Sequence, residues 1–129
     1  MTRKELKKIL TQHKLWIVTS GQEGSKADLS GIDLRAFDLA FADLQGADLS
    51  SSNLTYVNLR GVNLSGADLK DADLVYAELQ GANLTNVDLR LADLTYADLS
   101  GADFTGANLE YAKLVYAKLE KTKGLKNKG

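Results

Sequence analysis

The chain has 129 residues, 44% apolar and 26% charged, which is room for one domain and too much apolar content for a disordered segment. It has no cysteine, which excludes a disulfide framework, a thiolate nucleophile and Cys-type zinc or iron–sulfur sites. The net charge of −1 hides a segregation: residues 27–112 carry 14 acids and 4 bases, residues 1–26 carry 6 bases and 2 acids, and residues 113–129 carry 6 bases and 1 acid. An acidic body lies between two basic ends.

The first predicted element is a helix over residues 2–18. Thr2 and Glu5 have the spacing of a capping box. Leu6, Ile9, Leu10, His13 and Ile17 then recur on one helical stripe, with Trp16 beside them. Lys4, Lys7, Lys8, Thr11 and Lys14 form the opposite, basic face. The apolar stripe predicts a lid on whatever follows; a basic amphipathic helix on an anionic membrane is the alternative. His13 is the only histidine, and its place on the stripe marks it as a packed residue rather than a catalyst. No apolar stretch of signal-peptide length is visible, nor any run near the roughly 20 residues that span a bilayer. Cytoplasm is the default expectation. Residues 19–26, "TSGQEGSK", form a linker, without the lysine and context of a phosphate loop.

From residue 29 a leucine recurs every fifth position. The series is Leu29, Leu34, Leu39, Leu44, Leu49, Leu54, Leu59, Leu64, Leu69, Leu74, Leu79, Leu84, Leu89, Leu94, Leu99, then Phe104, then Leu109, Leu114 and Leu119, 19 pentads in all. On an α-helix five residues rotate about 140°, so this series smears around the axis. On a straight strand an odd period sends alternate leucines to opposite faces. With each leucine as position i, position i−2 is mostly alanine and i−1 mostly Asp or Asn. Position i+2 shows the higher order. Tyr56, Tyr76, Tyr96 and Tyr116 recur at 20, as do Gly61, Gly81 and Gly101, and as do Gly46, Gly66 and Gly106 around Asn86. Twenty residues are four pentads, so each pentad is one side of a four-sided tube.

That geometry accounts for the residue types. Four inward leucines fill each coil, and i−2 must be small beside them. Position i+2 is the corner, where glycine permits positive φ. Tyrosine is a poor fit to such a turn, so two turn types are expected on different sides. Stacked coils pair their backbones at about 4.8 Å, as parallel strands do. Burying one leucine contributes roughly 1.5–3 kcal/mol, whereas ordering five backbone residues costs on the order of 5–10 kcal/mol. Coil-to-coil hydrogen bonds and the i−2 residues must supply the difference, so several coils are needed.

The motif A-[D/N]-L-x-x, seen in "ADLQG" (42–46), "ANLTN" (82–86) and "ADLSG" (97–101), resembles the pentapeptide-repeat protein family, over residues 27–121. The resemblance implies a right-handed quadrilateral parallel β-helix, here of about five coils, and the helix ahead of a Gly-rich loop resembles cyanobacterial members. The expected organisation is a capping helix and linker at 1–26, an all-β solenoid at 27–121 and a short basic tail at 122–129. Ile32, Phe37, Ser52, Val57, Val62 and Val87 depart from alanine at i−2, and Ile32 and Phe37 predict a wider or distorted first coil. Lys113 and Lys118 depart from the acid or amide at i−1. Residues 109–123 fit a helix as well as the pentad register; the coil is favoured because Tyr116 keeps the 20-residue ladder. The lysines there are either gatekeepers against edge pairing or part of a dimer interface.

A tube filled with leucine has no cleft, so no enzyme activity, catalytic residue, cofactor or metal is expected. Asp28, Asp48, Asp68 and Asp88 share a face, with Asp73 and Asp93 on the next, and stacked carboxylates can hold a hard cation. The plainer reading is a solvated face. The acidic body also suggests a DNA mimic acting on a DNA-binding enzyme such as gyrase, which some members of the resembling family protect. Its step of about 4.8 Å does not match the 3.4 Å phosphate step of one strand. Direct binding of nucleic acid is not expected. The candidate interaction face is Tyr56, Tyr76, Tyr96 and Tyr116, since aromatics are enriched at hot spots; cross-coil packing is the competing reading. The functional expectation is a structural or protein-interaction module, a monomer or a weak dimer through its C-terminal end.

Overall fold

The computed structural model describes residues 1–125. One helix, α1 (Arg3–Val18), precedes the repeats. Thr2 is its N-cap: the Glu5 N–H donates to Thr2 Oγ1 (3.1 Å) and the Thr2 N–H donates to Glu5 Oε1 (2.6 Å), which completes the capping box. Leu6 and His13 are buried, and Ile9 and Leu10 pack half-buried against the core.

Beyond the helix, fifteen parallel bridges join residues 20 apart, from Asp28↔Asp48 to Asp103↔Lys123. No side is long enough to count as a continuous strand among the described residues. The bridges Asp93↔Lys113, Asp98↔Lys118 and Asp103↔Lys123 carry the register through residues 109–123, so this segment continues the coil and is not helical. Inside the tube, Leu29 through Leu99 and Phe104 are all at most 2% exposed.

Every backbone N–H of an ordinary pentad has a partner. The leucine N–H donates to the i−1 carbonyl of the next coil (Leu64 to Asn83, 2.9 Å), and the i+2 N–H to its i+1 carbonyl (Gly66 to Thr85, 2.9 Å). The i−1 N–H donates to the i−2 carbonyl of the previous coil (Asn63 to Ala42, 2.9 Å). The i−2 N–H closes the turn on the preceding leucine (Ala67 to Leu64, 2.9 Å). The remaining donor, at i+1, goes to the side chain of i−1: the Ser65 N–H donates to Asn63 Oδ1 at 3.1 Å and the Lys70 N–H to Asp68 Oδ1 at 2.9 Å. The i−1 column is therefore Asp or Asn because a short side-chain oxygen must cap its own corner. Glu78, Lys113 and Lys118 do not, and no partner is found for the Gln80, Val115 or Glu120 N–H among the described residues.

The expectation of two turn types is corrected by the backbone. The corner tyrosines have φ of 60–64°, in the same left-handed region as Gly61 (62°) and Gly66 (69°). Every corner is one kind of turn, with an i→i+3 hydrogen bond and positive φ at the third residue, as in type II. Ala36 alone departs. The physical reason is register. An L-residue in this region costs about 1–2 kcal/mol, but any other turn would forfeit several interior hydrogen bonds, each contributing roughly 0.5–1.5 kcal/mol.

Ala36 belongs to the distorted side expected from the large i−2 residues. No bridge forms between Asp38 and Asn58, although the Leu39 N–H still donates to the Asn58 carbonyl (3.0 Å). Phe37 stays half-buried there, packed against the core.

Candidate interaction face

The corner side chains stand in columns because residues 20 apart share a corner. One column runs Ala36, Tyr56, Tyr76, Tyr96, Tyr116. Its rings stack: Tyr56 on Tyr76 at 4.9 Å between centroids and 7° between planes, Tyr76 on Tyr96 at 4.8 Å and 3°, and Tyr96 on Tyr116 at 5.0 Å and 20°. The spacing is that of the coils, so the backbone register holds the rings in contact. Tyr76 and Tyr96 are 42% and 46% exposed, against 69% and 72% for Tyr56 and Tyr116, each of which has a ring on one side only.

The sequence placed these four tyrosines in one column, and the structure brings all four together. Thr55, Val75, Thr95 and Val115 run along one flank. Asn58, Glu78, Asp98 and Lys118 run along the other, with Arg60 Nη1 3.6 Å from Glu78 Oε1. Sequence reasoning missed part of the surface. Leu91 and Tyr111 occupy the neighbouring corner and, with Val115, are 53%, 82% and 54% exposed. The sides 91–96 and 111–116 therefore run from one apolar corner to another. The available signal was a large residue at i+2 where glycine is the easier choice.

The acid columns are arranged for capping. Asp28, Asp48, Asp68 and Asp88 each turn Oδ1 onto their own i+1 N–H. Hydrogen bonds from the Ser30 hydroxyl and N–H hold the Asp28 carboxyl below its ordinary range. The Arg35 guanidinium and N–H pull Asp33 down to about 2. Hydrogen bonds from Arg90 hold the Asp88 carboxyl below its ordinary range, and those from Thr95 do so for Asp93. Among the described residues no group of His, Asp and Glu is placed to hold a metal ion.

His13 is fully buried between two backbone groups. The Ala27 N–H donates to Nδ1 (2.9 Å), so the ring proton sits on Nε2, which faces the Gln45 carbonyl at 2.9 Å. Burial holds its imidazole below the ordinary value. It stacks on Trp16 at 5.5 Å, and Trp16 lies over the corner at Gly46. Both nitrogens are committed to holding α1 on the repeats, and no nucleophile adjoins them.

Comparison with known proteins follows the same lines. The sequence pattern of Pentapeptide repeats matches residues 25–55, 52–90 and 88–123, eight copies in all. The chain belongs to the pentapeptide-repeat family. Members of this family form right-handed quadrilateral β-helices, and they are generally non-enzymatic structural folds. A pentapeptide repeat protein of the Arabidopsis thaliana thylakoid lumen is similar, with 31% identity over 73% of this chain and a TM-score of 0.61. This chain spans 62% of that protein's length. A pentapeptide repeat protein from Nostoc Pcc 7120 is 34% identical over 85% of this chain and 93% of its own, with a TM-score of 0.50. None of the proteins with curated descriptions matches. Among the described residues no helix is long and apolar enough to cross a membrane.

Proposed function

We propose that this family member is a non-enzymatic protein-interaction module whose docking face is the column Tyr56, Tyr76, Tyr96 and Tyr116. The observation that supports the reading is the stack itself. Four aromatic rings are pre-positioned at 4.8–5.0 Å on a backbone held by interior hydrogen bonds, yet remain 42–72% exposed. Tyrosines held this way lose little side-chain freedom on binding, and such residues dominate interface energetics. In the same reading residues 1–26 are a capping helix and linker, residues 27–121 a solenoid of about five coils, and residues 122–129 a basic tail, of which 126–129 lie outside the described residues. The partner is a protein, no cofactor is involved, and the chain works in the cytoplasm, as a monomer or a weak dimer through its C-terminal end.

The test is capture from the native lysate, read by mass spectrometry, with wild type beside a variant in which Tyr56, Tyr76 and Tyr96 are Ser. Circular dichroism first establishes that the variant folds. A partner retained by wild type and lost by the variant is the expected result. Identical captures leave the tyrosines as packing and end the proposal.

A second reading rests on the acidity of residues 27–112, with 14 acids against 4 bases: an acidic mimic of DNA that inhibits or protects an enzyme such as gyrase. A supercoiling assay at high protein excess tests it, and unchanged gyrase activity and unchanged drug sensitivity remove it.

A further inference from the structure

A second surface lies at the other end of the molecule, independent of the tyrosines. Between α1 and the first coil runs a groove of about 610 Å³, lined by Arg3, Leu6, Lys7, Leu10, Lys14 and Ala42 together with Thr11 and Asp43. Its floor is apolar. Arg3, Lys7 and Lys14 are four and seven residues apart in turn, so they share one stripe of the helix. Among the described residues none of the three has a carboxylate within 4.0 Å, although the coil beneath them is acidic. The Thr11 hydroxyl is already committed to the Lys7 carbonyl at 2.9 Å.

We propose that this groove binds a single-chain aliphatic anion of the fatty-acid class. Leu6, Leu10 and Ala42 take the chain, and Arg3 and Lys7 take the carboxylate. Three observations select this occupant. The volume lies in the range of small-ligand sites, roughly 300–1,000 Å³. Eight residues line it, whereas a stable protein partner needs about 20–30 residues a side. An aliphatic chain needs no hydrogen bonds along its length, and the groove offers few. The orientation follows from Asp43. It lies beside the His13 end of α1, where Gln45 Nε2 donates to its Oδ1 (3.0 Å) and the Gln45 carbonyl faces His13. A carboxylate near Lys14 would meet this like charge. Arg3 and Lys7, one turn apart at the other end, are placed to converge on one carboxylate.

The experiment is a titration of the full chain with monomeric dodecanoate, followed by amide chemical shifts in two-dimensional NMR. Saturable shifts at Leu6, Leu10 and Ala42 are expected. The double variant Arg3→Glu with Lys7→Glu should weaken binding at least tenfold, and the control Lys4→Glu with Lys8→Glu, equal in charge change, less than threefold. All four side chains are exposed, so both variants should fold, which a thermal melt verifies. Dodecanol should bind more weakly than dodecanoate. No saturable shift at millimolar dodecanoate overturns the proposal. So does equal weakening in the two variants. Binding to phosphatidylglycerol vesicles without binding of the monomer assigns the basic helix to a membrane surface and overturns it as well.

Discussion

At the scale of single residues, the corners show which of two preferences prevails. Leu91 has φ of 63° and is 53% exposed, so it bears the left-handed strain without burying its side chain. Leu91→Gly is expected to raise stability by about 0.5–1 kcal/mol, measured by chemical denaturation; a loss of stability would mean that Leu91 packs against its neighbours more than its exposure indicates. Position i−1 gives a sharper case. Asp93→Ala removes the cap on the Thr95 N–H (3.0 Å) and should cost roughly 1 kcal/mol, while Asp93→Asn should be near neutral at pH 7. The two differ from wild type in acid as well. Hydrogen bonds from Thr95 hold the folded Asp93 carboxyl below its ordinary 3.8. The unfolded chain therefore takes up a proton first, and stability present above pH 4 is lost as pH falls through the folded value. Asp93→Asn should flatten that part of the acid-denaturation profile. The leucine period was legible because five fits neither helix nor strand. The capping role of i−1 was visible only as composition, because a side chain bonding its own corner leaves no trace at longer spacing.

At the scale of the element, α1 was readable in full: the capping box, the apolar stripe and the basic face all stand where the spacing put them. What holds it was not readable, since His13 reaches Gln45 and Ala27 across 32 and 14 residues. The turn at the tyrosine corners was misjudged because local propensity was weighed without the register that overrides it. His13 yields a pH prediction. Its folded imidazole lies below 6.5 because of burial, and a second ring proton would point at the Ala27 N–H, donor against donor. The contribution is whole above pH 6.5 and declines as pH falls below it. Between pH 7 and 5 the wild-type Tm should fall. His13→Phe should be less stable at pH 7 by about 2–4 kcal/mol, for two polar groups left without partners, and its Tm should show no such slope. Parallel slopes would place the titrating group elsewhere.

At the scale of the whole molecule, stability passes between neighbouring coils. Leu74 is fully buried between coils, whereas Leu114, in the last one, is half-buried. Leu74→Ala is expected to cost about 2–5 kcal/mol and Leu114→Ala less than half as much, with amide exchange fastest in the final coil. The proposed docking at the tyrosine column rests on the same rigidity. Rings stacked at 4.8–5.0 Å stabilise one another by roughly 0.5–1.5 kcal/mol a pair and still present a fixed apolar strip. The most direct test is site-specific photocrosslinking in the native host, with benzoylphenylalanine at Tyr76, at Tyr96 and at Asn86, an exposed corner on the opposite side of the coil from Tyr76. Adducts to one protein from Tyr76 and Tyr96, and none from Asn86, are the predicted result. The same adducts from all three positions, or none from either tyrosine, would contradict an interaction face on this column.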